Sequence, residues 1–94
     1  MFIVLLRFTD KFKAAPLMEG HKAWIKRGFD DGVFLLVGGL QPNLGGGILA
    51  HNTTLDALKS RVKDDPFVAE KVVTAEILEI APSRADDRLS FLAA

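Results

Sequence analysis

A chain of 94 residues has room for one domain and not for two independently folded units, which excludes a two-domain cofactor enzyme. Hydrophobic residues make up 49% and charged residues 26%, far from the composition of a disordered chain, and twelve Lys plus Arg balance twelve Asp plus Glu, so there is no basic excess to hold a nucleic-acid backbone. Cysteine is absent, which removes disulfides, thiolate nucleophiles and Cys-ligated metals and leaves His, carboxylates and backbone groups for any chemistry.

In chain order, Phe2 to Phe8 is a short apolar run rich in strand formers, and it predicts a first strand buried on both faces. No cationic segment precedes it and Arg7 interrupts it, so it reads as neither a signal peptide nor a membrane span. The expectation is a soluble, cytoplasmic protein without a membrane partner. From about Ala14 to Phe29, the positions Leu17, His21, Trp24, Ile25 and Gly28 recur at intervals of three and four, the spacing of one helical face. Pro16 fits a first helical turn and Asp31-Gly32 a stop. Gly20 costs a helix interior about 1 kcal/mol relative to Ala, so it either weakens this helix or marks a close contact.

Val33 to Val37 predicts a second strand. The glycine-rich stretch from Gly38 to Gly47 predicts a hairpin with positive φ angles, leading to a short third strand at Ile48-Leu49-Ala50. Thr53 is placed to cap a helix starting at Thr54 or Leu55, with Asp56 as a weak capping-box partner and Leu55, Leu58 and Val62 as the apolar stripe. Asp65-Pro66 ends that helix, a short turn runs through Phe67 to Glu70, and the alternation from Val72 to Ile80 predicts a fourth strand stopped by Pro82. Residues 1–82 then form the domain. Residues 83–94 form an arm, polar and then apolar at Leu89, Phe91 and Leu92, that either packs on a partner subunit or frays.

The order strand, helix, strand, strand, helix, strand is the split βαβ pattern of the α+β, ferredoxin-like class, an antiparallel four-stranded sheet with two helices on one face. With a first strand apolar on both sides and no cysteine staples, the uncovered sheet face predicts a homodimer or higher homo-oligomer with sheets packed face to face.

His21 in the first helix, Val33-Phe34-Leu35-Leu36-Val37-Gly38-Gly39, Gly46-Gly47 before the third strand, and Asp64-Asp65-Pro66-Phe67 together resemble the YciI-like (YCII-related) proteins, from about Phe2 to Ile80. Where that family often has Gly-Pro after the second strand, this chain has Gly38-Gly39. The resemblance implies a dimeric α/β barrel with a His and Asp active-site pair, here His21 and Asp65, and a small-molecule substrate, some relatives acting on aromatic breakdown products. It implies proton chemistry without a cofactor, of isomerase, lyase or hydrolase type.

Read from the residues themselves, a histidine on an apolar stripe needs a partner for its ring nitrogens, and a carboxylate in that place fixes the tautomer and frees the other nitrogen for a proton. The alternative is a core histidine satisfied by a hydrogen bond, in a non-catalytic ligand-binding or structural dimer. Asp before Pro is also a helix N-cap signature, and one carboxylate has lone pairs for both duties, with Asp64 as the substitute for either. Trp24, Phe8 and Phe67 either stack on an aromatic ligand or belong to the core. Gly38 and Gly39 border the expected pocket, where bare backbone N–H groups would meet a substrate oxygen. Arg7, a charge inside the first strand, is either paired with a carboxylate or faces the dimer pocket and holds an anionic substrate in a forked contact. His51, beside Asn52 at a strand exit, has an exposed or capping role, and two histidines without His-x-His or His-x-x-x-His spacing predict no metal site.

Overall fold

Successive side chains of a strand point to opposite faces, so an apolar run is buried on both sides only if both faces are covered. In the computed structural model, which describes residues 1–93, strand β1 (Phe2–Phe8) buries Phe2, Val4 and Leu6, whereas Ile3 and Leu5 keep partial exposure. The expected burial on both faces is therefore not reached within one chain, because the helices cover only one side. That inner face carries the core: Phe2, Val4 and Leu6 meet Phe34, Ile48, Ala50 and Val73 from the sheet and Trp24, Leu58, Val62 and Phe67 from the helices.

Beyond β1 the chain enters its first helix through two short 3-10 turns, Lys11–Lys13 and Ala15–Leu17. Pro16 lies in the second of these, so helix α1 spans Met18–Asp30 and starts later than the spacing predicted. The tight turn, with the Leu17 N–H on the Ala14 carbonyl at 3.0 Å, suits a proline that has no N–H of its own to give. Helix α1 stops at Asp31-Gly32 as expected. It lies so close to the sheet that a Cβ built on Gly28 would stand 2.1 Å from the Phe34 ring.

The predicted glycine-rich hairpin is mostly strand. Strand β2 runs Phe34–Leu40, with a register shift between Phe34 and Leu36, and strand β3 runs Gly45–Ala50, so Gly38 and Gly39 pair with Gly47 and Gly46 in the ladder. Only residues 41–44 turn. Among these glycines Gly45 alone has a positive φ, 141°, and a Cβ there would meet the Leu6 carbonyl oxygen at 1.8 Å. The glycines serve close strand approach more than loop geometry.

Helix α2 spans Leu55–Lys63 and is capped by Thr54, not Thr53: Thr54 is the residue with extended backbone, and its hydroxyl accepts from the Ala57 N–H at 3.1 Å. The N3 position is then Ala57, and Asp56 forms no capping box. The turn expected after Pro66 is a single helical turn, α3 (Pro66–Ala69), followed by strand β4 (Val73–Glu79). Sheet order is β2-β3-β1-β4 with every pairing antiparallel, which is the ferredoxin-like βαββαβ arrangement.

The arm carries a 3-10 stretch, Asp87–Leu92, and sets Phe91 edge-on to His51 with ring centroids 5.6 Å apart. Ala94, its last residue, lies outside the described residues. The Arg88 guanidinium, together with the Arg88 backbone N–H, holds the Asp86 carboxyl below the usual carboxylate range. No helix among the described residues is long and apolar enough to cross a membrane.

Candidate active site

Asp65 owes its position to local backbone chemistry. Helix α2 closes at Asp64, Asp65 takes an extended conformation (φ −64°, ψ 123°), and Pro66 opens α3 at the first helical position, where a missing N–H is harmless. The Asp65 Oδ1 accepts from the Phe67 N–H at 3.1 Å, which is the N-cap bond that the Asp-Pro pair predicted. Asp65 is 0% exposed, the one charged residue in the buried set.

His21 reaches the same oxygen from α1. Helices α1 and α3 meet where a Cβ on Gly20 would lie 3.1 Å from the Pro66 Cγ, so the glycine inside the helix marks a close contact. One residue further on, His21 Nδ1 stands 2.7 Å from Asp65 Oδ1, across 44 positions of chain. An oxygen that already accepts from a backbone N–H accepts from Nδ1–H as well, and the neutral ring then carries its lone pair on Nε2. Asp65 Oδ2 is buried without a hydrogen-bond partner, so both contacts of the carboxylate, to the imidazole and to the Phe67 N–H, run through Oδ1. The Phe67 ring stacks flat on the imidazole, centroids 4.0 Å apart and planes 4° from parallel. The ring plane is therefore held by a hydrogen bond at its edge and an aromatic face beneath it.

His21 is also the place where this polar pair meets open space. A cavity of about 190 Å³ lies between α1 and the inner face of the sheet, bounded by Met18, His21 and Ile25 of α1, Phe67 of α3, and Leu6, Phe8, Val37, Ile48 and Val73 of the strands, with Gly38 and Gly45 to Gly47 as a bare wall. The His21 side chain is 15% exposed, so its ring is reachable, while Asp65 sits behind it. An imidazole that borders an apolar chamber, with a sealed carboxylate behind it, has the geometry that general acid–base chemistry requires.

The remaining sequence candidates divide by face. Gly38 borders this cavity, but Gly39 borders only a groove on the outer face of the sheet. The N–H groups of Gly46 and Gly47 belong to β3, which is paired on both sides, so these glycines shape a wall and do not donate to a substrate. Trp24 is 1% exposed, donates from Nε1 to the Arg61 carbonyl at 2.9 Å, packs edge-on against Phe34 and does not line the cavity. Phe67 does line it, although its face is taken by His21. Arg7 points to the outer face and pairs with Glu76, Nη1 to Oε1 at 2.8 Å, which realises the carboxylate alternative and removes it from His21. With both partners more than half exposed, that pair contributes about 0–1 kcal/mol. Asp64 is exposed and takes neither duty of Asp65. His51 stands at the far end of β3 against Phe91.

The sequence reading named Phe8 and Phe67 of the apolar lining and left out its aliphatic and thioether part. Met18, His21 and Ile25 share a helix face at intervals of three and four, and Gly46 shares a strand face with Ile48 and Ala50, so the signal was present as ordinary periodicity. Nothing in that pattern distinguishes a chamber wall from a filled core. Among the described residues no three His, Cys, Asp or Glu side chains stand together as a metal-ion site. Comparison of the sequence with protein-family models and with curated proteins finds no match to either, so the site is read on its own geometry.

Proposed function

We propose that this chain is a small cytoplasmic enzyme, related to the YciI-like proteins, in which His21 moves a proton on a small organic substrate and Asp65 orients and balances the ring. The observation that carries this reading is the 2.7 Å contact between Asp65 and the inner nitrogen of a cavity-lining imidazole. His21 Nε2 takes a proton from a carbon beside a carbonyl, the C–H electron pair spreads into the conjugated system, and the imidazolium returns the proton to the distal carbon. The base is restored at the end of the cycle, and no electron carrier is called on. The buried carboxylate holds the ring in one orientation throughout the cycle.

Conversion of α-angelica lactone to its conjugated β isomer, and deuterium uptake from heavy water by the same lactone, test the step directly. His21→Ala and Asp65→Asn are each expected to lower the rate by roughly 10²- to 10⁴-fold while the protein stays folded. No turnover by the parent protein, or rates in both variants unchanged from the parent, would leave His21–Asp65 as a buried hydrogen bond in a ligand-binding or structural dimer.

The same proposal includes a homodimer formed through the outer face of the sheet. Register places Ile3 and Leu5 of β1, Leu36 and Leu40 of β2, Leu49 of β3 and Leu78 of β4 on that face, with Leu36 55% and Leu78 43% exposed. Sheets packed there would cover an apolar surface that is otherwise open to water. Sedimentation is expected to show a dimer for the parent protein and a folded monomer for Leu36→Lys. A parent protein that sediments as a monomer at all concentrations would refute the assembly.

A further inference from the structure

The composition of the cavity wall limits what it accepts. We infer that the His21 site takes a small, uncharged, single-ring compound bearing one hydrogen-bonding group, and rejects the corresponding anion. The inference rests on the reading of His21 as the reactive group and adds to it a substrate class.

Three observations carry it. First, His21 is the one side chain in the lining with a nitrogen or oxygen atom, the others being aliphatic, aromatic, thioether or glycine. A ligand in this chamber therefore finds one side-chain hydrogen-bonding partner. A carboxylate or phosphate entering it would lose its water and gain no cation, a transfer that is strongly unfavourable, whereas a neutral ring loses little. Second, the candidate cation Arg7 is on the other side of the sheet and engaged with Glu76. Lys11, whose Nζ lies 5.7 Å from the Phe8 ring centroid, is exposed and takes no part in the lining. Third, the volume of about 190 Å³ suits one ring. An engineered apolar cavity of roughly 150 Å³ stays dry and takes up benzene, so this chamber has space for a five- or six-membered ring with one small substituent.

Gly46 makes the space. By strand alternation it shares the inner face with Ile48 and Ala50, both buried, and a Cβ built on it meets nothing nearer than the Gly38 carbonyl oxygen at 3.5 Å. A side chain there would enter the chamber without forcing the backbone. Gly46→Val, a β-branched residue in a strand, is thus a plug that respects the fold.

Benzyl alcohol and benzoate share a ring and differ in charge, and the experiment follows the His21 ring resonances by NMR while each is titrated into the full-length protein. Benzyl alcohol is expected to shift those resonances in a saturable way, with benzoate at least about tenfold weaker. Gly46→Val is expected to weaken benzyl alcohol by at least about tenfold while its melting temperature does not fall below that of the parent, and Gly46→Ala, a smaller plug, to fall between. Benzoate binding as tightly as benzyl alcohol, no saturable response to benzyl alcohol, or an undiminished response in both Gly46 variants would each overturn the inference. These outcomes are separate from those of the lactone assay: selective uptake of the neutral ring with no turnover would leave the substrate class standing and remove the catalysis.

Discussion

The Gly28→Ala substitution is expected to lower stability by about 3 kcal/mol, near the upper part of the range for forced overpacking in a core. The added methyl would stand 2.1 to 2.6 Å from three atoms of the Phe34 ring. That ring cannot swing aside, because it is 3% exposed and wedged edge-on between Trp24, at 5.1 Å between centroids, and Phe29, at 6.1 Å. Relief must come from α1 lifting off the sheet, and α1 carries His21. For a domain of this size the loss corresponds to a melting temperature lower by roughly 12–24 °C. Gly39→Ala is the internal comparison: its Cβ would meet nothing nearer than 3.9 Å, and a side chain in a strand interior is expected to add about 0.5–1 kcal/mol. Thermal and urea melts of the two variants give the answer. A Gly28→Ala protein within about 1 kcal/mol of the parent would mean that α1 and β2 are not in the contact described.

Asp65→Ala is expected to cost a similar amount, about 3 kcal/mol, by a different route. It removes the cap of α3, typically about 1 kcal/mol, and leaves two buried donors, the Phe67 N–H and His21 Nδ1–H, without their acceptor, at about 1–3 kcal/mol each before relaxation. Asp65→Asn keeps an amide oxygen in the same place and caps a helix as well as Asp does, so its cost is expected to stay within about 1 kcal/mol. The two variants therefore separate architecture from chemistry. Urea denaturation that finds both equally destabilised would assign the carboxylate charge, and not its acceptor geometry, to stability.

How much of this could be read beforehand differs from one element to another. The first strand was legible to its boundaries because an apolar run broken only by Arg7 between Met1 and Thr9 has few other ways to fold. The Asp65-Pro66 step was legible because each residue has a specific backbone use, and both uses are realised in α3. The Gly38 to Gly47 stretch misled because glycine signals freedom of φ, while its other property, the absence of a Cβ, is what β2 and β3 draw on. Thr53 and Thr54 are chemically equal as caps, and only the path of the chain out of β3 decides which one is extended.

The site was legible in its polar half. His21 and Asp65 were paired on the strength of a resemblance and of an apolar stripe, and they stand together. Which face a strand residue takes is not contained in its identity, and for that reason Arg7 was open to two readings, of which its contact with Glu76 on the outer face realises the carboxylate one. Trp24 was open to two readings, and its helix position next to the Arg61 carbonyl makes it core.

A single oxygen atom gathers the ring of one segment and the main-chain amide of another. The segments are local to each other only after the β2–β3 ribbon and α2, all of which lie between them in the chain, have found their places. A contact of this kind is all-or-none with respect to assembly: a fragment that keeps both residues but loses the intervening ribbon would retain the ingredients and none of the geometry.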